Sequence, residues 1–326
     1  MVALLGPDDT AVAASMLRDG KLVAFPTETV YGLGASARLP AAVARVFAVK
    51  GRPAGHPLIL HLADAAMLGE WAEATPVART LAAAFWPGPL TLVLPRRAVV
   101  PDEVTGGRPT VGVRVPDHPV ALAILRAFGG GVAAPSANRF GRVSPTTAAH
   151  VLADLGGDVD AVVDGGPAAV GVESTILEVT PDGLTILRPG GISAEQIEAV
   201  AGAAVERVAH GPARAPGMLA AHYSPRARVV VLDPDDGDAG RLGATVARLV
   251  ASGESVAVLA RAGLDDPPGA VVLEPPASTE DYARVLYARL READERGASV
   301  IVCVAPAAVG VGIAVRDRLA RAAATP

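Results

Sequence analysis

Cysteine is almost absent: Cys303 is the only one in 326 residues. That excludes an intramolecular disulfide and a cysteine-based zinc site. Aromatic residues make up 3% of the chain, and lysine is scarcer still, with Lys21 and Lys50 against 27 arginines. Asn138 and Gln196 are each the sole member of their kind. A chain this rich in Ala, Arg, Gly and Pro bears the mark of a mutational bias. The few lysines and the asparagine that survive therefore point to positions where arginine's planar fork is no substitute.

Long apolar runs are also missing. Mean hydropathy is +0.37, but charges, Pro or Gly interrupt every run well short of the ~20 residues a membrane span needs. The opening MVALLGPDDT has no basic region followed by an apolar stretch and a cleavage site, so no secretory signal is visible. These features set the expectation of a cytoplasmic protein with no membrane association. Net charge is −5, with 17 basic and 20 acidic residues up to position 225 and 12 and 14 beyond it. Neither half has the basic balance of a dedicated nucleic-acid binder.

What is present suits two α/β domains, at about 150 residues each. The first two-thirds alternates short apolar runs with helical patterns, which predicts a mixed α/β domain. Strands are expected at 22–25, 58–62, 91–94, 111–115, 132–134, 161–163, 176–179 and 184–187. Helices are expected at 8–19, capped by Asp8 or Asp9, and at 39–49, 76–85, 118–128, 145–154 and 193–201. The stretch 208–227, AHGPARAPGMLAAHYSPRA and its neighbours, has no period and reads as an interdomain linker. Beyond it, strands at 229–232, 256–259, 271–273 and 300–304 interleave with helices near 239–251, 279–296 and 311–323. That pattern predicts a small parallel sheet, giving domains at 1–207 and 228–326. Cys303 falls within one of its strands, as a buried inert thiol would.

The chemistry-bearing residues sit in loops of the first domain. Lys50-Gly51-Arg52-Pro53 ends a helix: Lys50 complements the dipole, Gly51 suits C′ and Pro53 prevents continuation. The same ammonium and guanidinium, two residues apart, equally suit a phosphate and a carboxylate. Ser136-Ala137-Asn138 follows a strand, where the pair makes a turn or faces a ligand crevice, with Arg139, Arg142 and Ser144 close behind. Arg114 lies inside the apolar VGVRV and needs an anionic partner, structural or substrate. Arg188 is similar but nearer a strand end. Thr27, Ser174 and Thr175 suit caps or a pocket, and His61 suits a satisfied strand histidine as readily as a base. Trp86-Pro87-Gly88-Pro89 reads as a packed turn. No Walker A loop, GxGxxG, HExxH or GxSxG occurs.

Taken together, PTETVYGL, Lys50-x-Arg52, WPGPLTLVL, VGVRVP, Ser136-x-Asn138 and GVESTI resemble, in order and spacing, the YrdC-like L-threonylcarbamoyl-AMP synthases. The match covers about residues 10–200. Pro216-Gly217-Met218, His222-Tyr223-Ser224-Pro225 and the α/β tail resemble the family's long form. The resemblance implies a twisted mixed-sheet YrdC-like domain with a smaller Rossmann-like C-terminal domain. It also implies an enzyme that condenses L-threonine, bicarbonate and ATP, with Mg²⁺ on the triphosphate. The product is threonylcarbamoyl-AMP, which a downstream transferase moves to tRNA adenosine. By the same resemblance Lys50, Ala54, Thr110, Ser136, Asn138, Ser144, Arg188 and Tyr223 fall at ATP positions, with Lys50 and Arg52 near the phosphates. Thr27, His61, Arg114, Ala134 and Ser174 fall on the threonine side, and no residue is assigned to a protein-held metal. Leu219-Ala220-Ala221 departs from the basic or aromatic residues common there. The alternatives are carbamoyl-adenylate chemistry, whose architecture needs cysteine-rich zinc modules, and a non-catalytic binder of tRNA or double-stranded RNA.

Overall fold

The computed structural model describes residues 2–207, 216, 222–233, 238–264 and 266–324. The chain divides into two compact units, Met1–Phe140 with Ser144–Met218, and Gly141–Val143 with Leu219–Pro326. Most of the stretch read as a linker, 208–215 and 217–221, lies outside the described residues, including Leu219-Ala220-Ala221.

Among its described residues the first unit holds eleven strands: β1 (Ala3–Leu5), β2 (Val23–Phe25), β3 (Gly32–Ser36), β4 (Ile59–His61), β5 (Leu90–Pro95), β6 (Thr110–Arg114), β7 (Val132–Ala133), β8 (Ala161–Val163), β9 (Thr175–Thr180), β10 (Gly183–Arg188) and β11 (Val205–Arg207). They form one sheet in the order β1-β8-β2-β3-β7-β4-β6-β5-β9-β10-β11. Its pairings are mixed: β4/β6 and β5/β9 are parallel, for example, whereas β2/β3, β5/β6 and β9/β10 are antiparallel. Helices α1 (Thr10–Arg18), α2 (Pro40–Lys50), α3 (Leu68–Trp71), α4 (Pro76–Phe85), α5 (Asp102–Thr105), α6 (Pro119–Phe128), α7 (Ala148–Leu155) and α8 (Ala194–Ala201) complete the unit.

The central strands of this sheet are buried on both faces, and β2 shows why. Ala24 packs with Ala42, Val43 and Val46 of α2 in one apolar cluster, while Val23 and Phe25 join Leu17 of α1 and Ile124 of α6 in another. Alternate side chains point to opposite faces, so an all-apolar strand needs helices on both sides. The solitary Gln196 has a structural post: its side chain accepts from the Ser193 N–H at 2.9 Å while Ser193 Oγ accepts from the Gln196 N–H at 3.3 Å. This reciprocal cap opens α8.

The second unit is a four-stranded sheet of β12 (Arg228–Leu232), β13 (Val256–Leu259), β14 (Val271–Val272) and β15 (Val300–Val304), ordered β12-β15-β13-β14 and parallel throughout. Its helices are α9 (Asp238–Ala251), α10 (Thr279–Glu295) and α11 (Gly312–Ala323). Cys303 is fully buried in β15, where burial pushes its thiol up to about 12.

The mixed sheet with a second parallel one agrees with the expected fold class. Strands β1, β3 and β11 were not anticipated. The first and last are three-residue edges, and β3 reads GLGAS, whose glycines mask any strand signal. Gly34 is required there because a Cβ would sit 2.7 Å from Cε1 of Phe25. Closer contact still occurs at Gly190, where a Cβ would lie 2.2 Å from the Thr175 nitrogen and 2.4 Å from the Ser174 carbonyl carbon. Backbone cannot yield as a side chain can, so Gly190→Ala is expected to cost at least about 1–3 kcal/mol. A urea denaturation curve checks this, and an unchanged midpoint would contradict the close packing.

Candidate active site

The strand order gathers several chain ends at one edge. β5 runs antiparallel to β6 and parallel to β9, and β10 runs antiparallel to β9. The start of β5, the end of β6, the start of β9 and the end of β10 therefore meet. Arg114 ends β6, Thr91 follows the first residue of β5, Ser174 precedes β9 and Arg188 ends β10. His61 is the register partner of Arg114 on β4.

Lys50 ends α2, whose Pro40 suits a first-turn position. Gly51 then turns the chain away at φ 64°. Lys50 is 2% exposed, and its Nζ donates to the carbonyls of Ser136 and Asn138, each at 2.5 Å. The Lys-x-Arg and Ser-x-Asn pairs, 86 residues apart in sequence, are thus strapped together, and the Phe140 N–H bonds back to the Lys50 carbonyl at 2.7 Å. Burial, followed by repulsion from Arg52, pushes the Lys50 ammonium well below the ordinary lysine value. Arg52, also buried, donates to the Pro57 carbonyl at 3.0 Å and lies 5.7 Å from the Phe140 ring centre. The Asn138 amide donates to the Arg139 carbonyl at 2.9 Å.

Arg114 forms the second focus. Its Nε donates to the Gly88 carbonyl at 3.1 Å, Nη1 to Thr29 Oγ1 at 3.0 Å, and Nη2 pairs with Glu28 Oε1 at 2.6 Å. The anion it was expected to require is Glu28. Thr27 Oγ1 donates to the Val30 carbonyl at 2.6 Å, so its contact with Thr29 Oγ1 at 2.8 Å receives the Thr29 proton. Thr27 Oγ1 also accepts the N–H groups of Thr29 and Val30. The Thr27 hydroxyl is therefore spent on holding its own loop. His61 is buried, and burial together with the nearby Arg114 lowers its pKa to about 3, so the ring stays neutral.

Arg188 forms the third focus. Nε and Nη2 donate to the Ser174 carbonyl at 3.2 and 2.9 Å, and Nη2 also reaches Ser174 Oγ at 3.2 Å. Ser174 Oγ in turn contacts Thr91 Oγ1 at 2.8 Å, while Nη1 of Arg188 donates to the Pro216 carbonyl at 3.1 Å. Thr175 points elsewhere and ties Ile192 through both its N–H and its carbonyl. Ser144, fully buried, donates to Glu173 Oε1 at 2.6 Å.

The loop at 26–31 links these groups. Its Tyr31 N–H bonds to the Pro145 carbonyl, Ala137 N–H to the Tyr31 carbonyl, and Val170 N–H to the Glu28 carbonyl. Ala134, buried, donates through its N–H to the Ile59 carbonyl at 3.0 Å. Thr110 opens β6 half-buried, and Ala54 is exposed in the turn after Pro53. Tyr223 belongs to the second unit, where it adopts φ 62°, stacks on Tyr287 at 5.7 Å and lies 5.1 Å beneath the Arg318 guanidinium. Glu28, Thr29, Thr91 and Glu173 were not singled out from sequence, although all four lie within quoted motifs.

Among the described residues the three foci are buried cations anchored by carbonyls, with hydroxyls beside them. Residues 15–190 match the Sua5/YciO/YrdC family, described as telomere recombination, and residues 192–324 match the threonylcarbamoyl-AMP synthase C-terminal domain. The chain belongs to this family, in the form that carries both parts, and is an enzyme of the nucleotidyltransferase class. It is 43% identical to the threonylcarbamoyl-AMP synthase of Pyrococcus abyssi, over 95% of this chain and 93% of that one. Its identity to the Bacillus subtilis threonylcarbamoyl-AMP synthase is 42%, over 96% and 92%. The crystal structure of P. abyssi Sua5 complexed with L-threonine superposes with a TM-score of 0.90 at 41% identity, covering 99% of this chain and 97% of that one. Among the described residues no helix is long and apolar enough to cross a membrane.

Because the folded state disfavours the Lys50 proton, the unfolded chain binds more protons between the depressed value and the ordinary ~10.4. This group's contribution to stability therefore rises with pH across that interval. With only two lysines, selective ¹³Cε labelling gives two resonances, and the one lost in Lys50→Arg should titrate well below a model lysine. Titration at the model value would show that the strap does not desolvate it.

Proposed function

We propose that the chain condenses L-threonine, bicarbonate and ATP to threonylcarbamoyl-AMP and pyrophosphate, a product that a downstream transferase places on tRNA adenosine. The main support is the strap of Lys50 between Ser136 and Asn138, which fixes an ammonium beside Arg52 as a phosphate-binding corner. Threonine's amine, once unprotonated, takes up carbon dioxide from bicarbonate as a carbamate. A carbamate oxygen then attacks the α-phosphorus as the bond to pyrophosphate breaks. Lys50, Arg52, Ser136, Asn138, Ser144 and Arg188 hold the nucleotide, with Thr110 and Ala54 at its edge. Arg114 pairs with the amino-acid carboxylate, and Thr27, His61, Ala134 and Ser174 shape that pocket. The neutral His61 adds no second charge beside Arg114.

Among the described residues no cluster of three or more His, Cys, Asp or Glu offers a metal cage. A magnesium ion would ride on the triphosphate, held mostly by phosphates and water, where it would neutralise phosphate charge. A cytoplasmic enzyme follows from such substrates.

The test is pyrophosphate release from ATP. It should require both L-threonine and bicarbonate; release that ignores threonine would sink the reading. Lys50→Ala should lower kcat by about 100- to 1000-fold. It also leaves two buried carbonyls without a donor, at about 1–3 kcal/mol, so activity is read well below the melting point. Undiminished turnover would remove Lys50 from the site.

A further inference from the structure

Glu28 is the one charged member of the threonine-side cluster that neither the motif resemblance nor the family comparison assigns. Its carboxylate is 5% exposed, and Oε1 lies 2.6 Å from Nη2 of Arg114. Both carboxylate oxygens are buried without a hydrogen-bond partner, and Oε2 lacks even the ion-pair contact that Oε1 has. An ionised oxygen removed from water without a donor is costly, and such groups ordinarily have one. The nearby hydroxyl donors are already committed, whereas the buried Nδ1 of His118 and Nη2 of Arg114 make no hydrogen bond. Arg114 has five N–H groups; Nε and Nη1 donate to Gly88 and Thr29, while Nη2 lies 2.6 Å from Glu28 Oε1 as an ion pair without a hydrogen bond, which leaves three. The hydroxyls of Thr29 and Thr27 pass their protons along to the Val30 carbonyl. His118, whose proton affinity burial lowers and Glu28 partly restores, faces the same carboxylate from the start of α6.

The cluster thus holds unbonded N–H donors on a cation beside unbonded oxygens on an anion, with no net charge between them. That pattern is the complement of a zwitterion. An arginine alone would take any carboxylate; an arginine paired with a buried carboxylate takes one whose neighbouring group is positive. We propose that Glu28 is a specificity-determining residue whose Oε2 accepts from the α-ammonium of the amino acid held by Arg114, so that the site selects amino acids over the corresponding hydroxy acids. This inference rests on the functional reading above. A polar site built around a donor rejects ligands lacking it far more strongly than an apolar pocket rejects a missing methylene.

The experiment is calorimetric titration of the full chain with L-threonine and with 3-hydroxybutyrate, its des-amino counterpart. Wild-type protein should prefer threonine by at least about 100-fold. In Glu28→Gln that ratio should collapse to within about tenfold, threonine weakening while 3-hydroxybutyrate holds or tightens against the now unopposed Arg114. Equal weakening of both ligands would reduce Glu28 to a prop for Arg114 and overturn the proposal, as would an unchanged ratio, which would mean that only water meets Oε2. Should Glu28→Gln not fold, Glu28→Asp keeps the charge but retracts it, and must weaken threonine more than 3-hydroxybutyrate; parallel losses overturn the proposal. Wild-type protein that binds no threonine brings down the functional reading itself, whereas threonine binding with an undiminished ratio in the variants refutes this inference alone.

Discussion

A buried positive charge must find oxygen, and this constraint organises the catalytic unit. Lys50, Arg52, Arg114 and Arg188 are all under 10% exposed. Each is met by main-chain carbonyls: those of Ser136 and Asn138, Pro57, Gly88, and Ser174 with Pro216. Arg114 also has a close carboxylate, that of Glu28. Carbonyl acceptors carry partial rather than full charge, so such bonds hold a cation in place without neutralising it.

The loops follow from that requirement. To aim two carbonyls at Lys50, the chain after β7 must turn at 135–138. That turn is held by N–H groups of Leu33 and Ala137 bonded to and from its neighbours. To aim the Gly88 carbonyl at Arg114, the Trp86–Pro89 turn folds against Val115, whose carbonyl receives the Gly88 N–H at 2.9 Å. Gly190 lies against the backbone of Ser174 and Thr175 so closely that no side chain fits, which keeps Ser174 within reach of Arg188. Local turn chemistry and site geometry are one arrangement here.

Much of this was legible in the residues. The helix ending at Lys50-Gly51 carried its stop signals openly, and an arginine inside VGVRV announced its need for an anion. Scarcity marked Lys50 and Asn138, and it also marked Gln196, which turns out to cap α8, so rarity recorded local necessity of more than one kind. The partner of Arg114 was not legible. A glutamate between two threonines in PTETVY looks like any solvated loop residue, and only the burial of that loop turns it into half of an ion pair. β3 was hidden for a related reason: its two glycines carry no strand signal, and it exists because β2 and β7 supply hydrogen bonds on either side. Periodicity reports which face of an element is apolar, but not which loop the fold will cover.

The carbonyl strap around Lys50 bears on how this chain tolerates drift. Its acceptors are properties of the backbone, not of codons. Exchanging the side chain at Ser136 or Asn138 cannot delete either oxygen, provided that the turn keeps its shape. Only the donor side can be lost by a single base change. In a sequence pushed so hard towards alanine and arginine, the arrangement concentrates mutational risk on a handful of cations and leaves their surroundings free to wander.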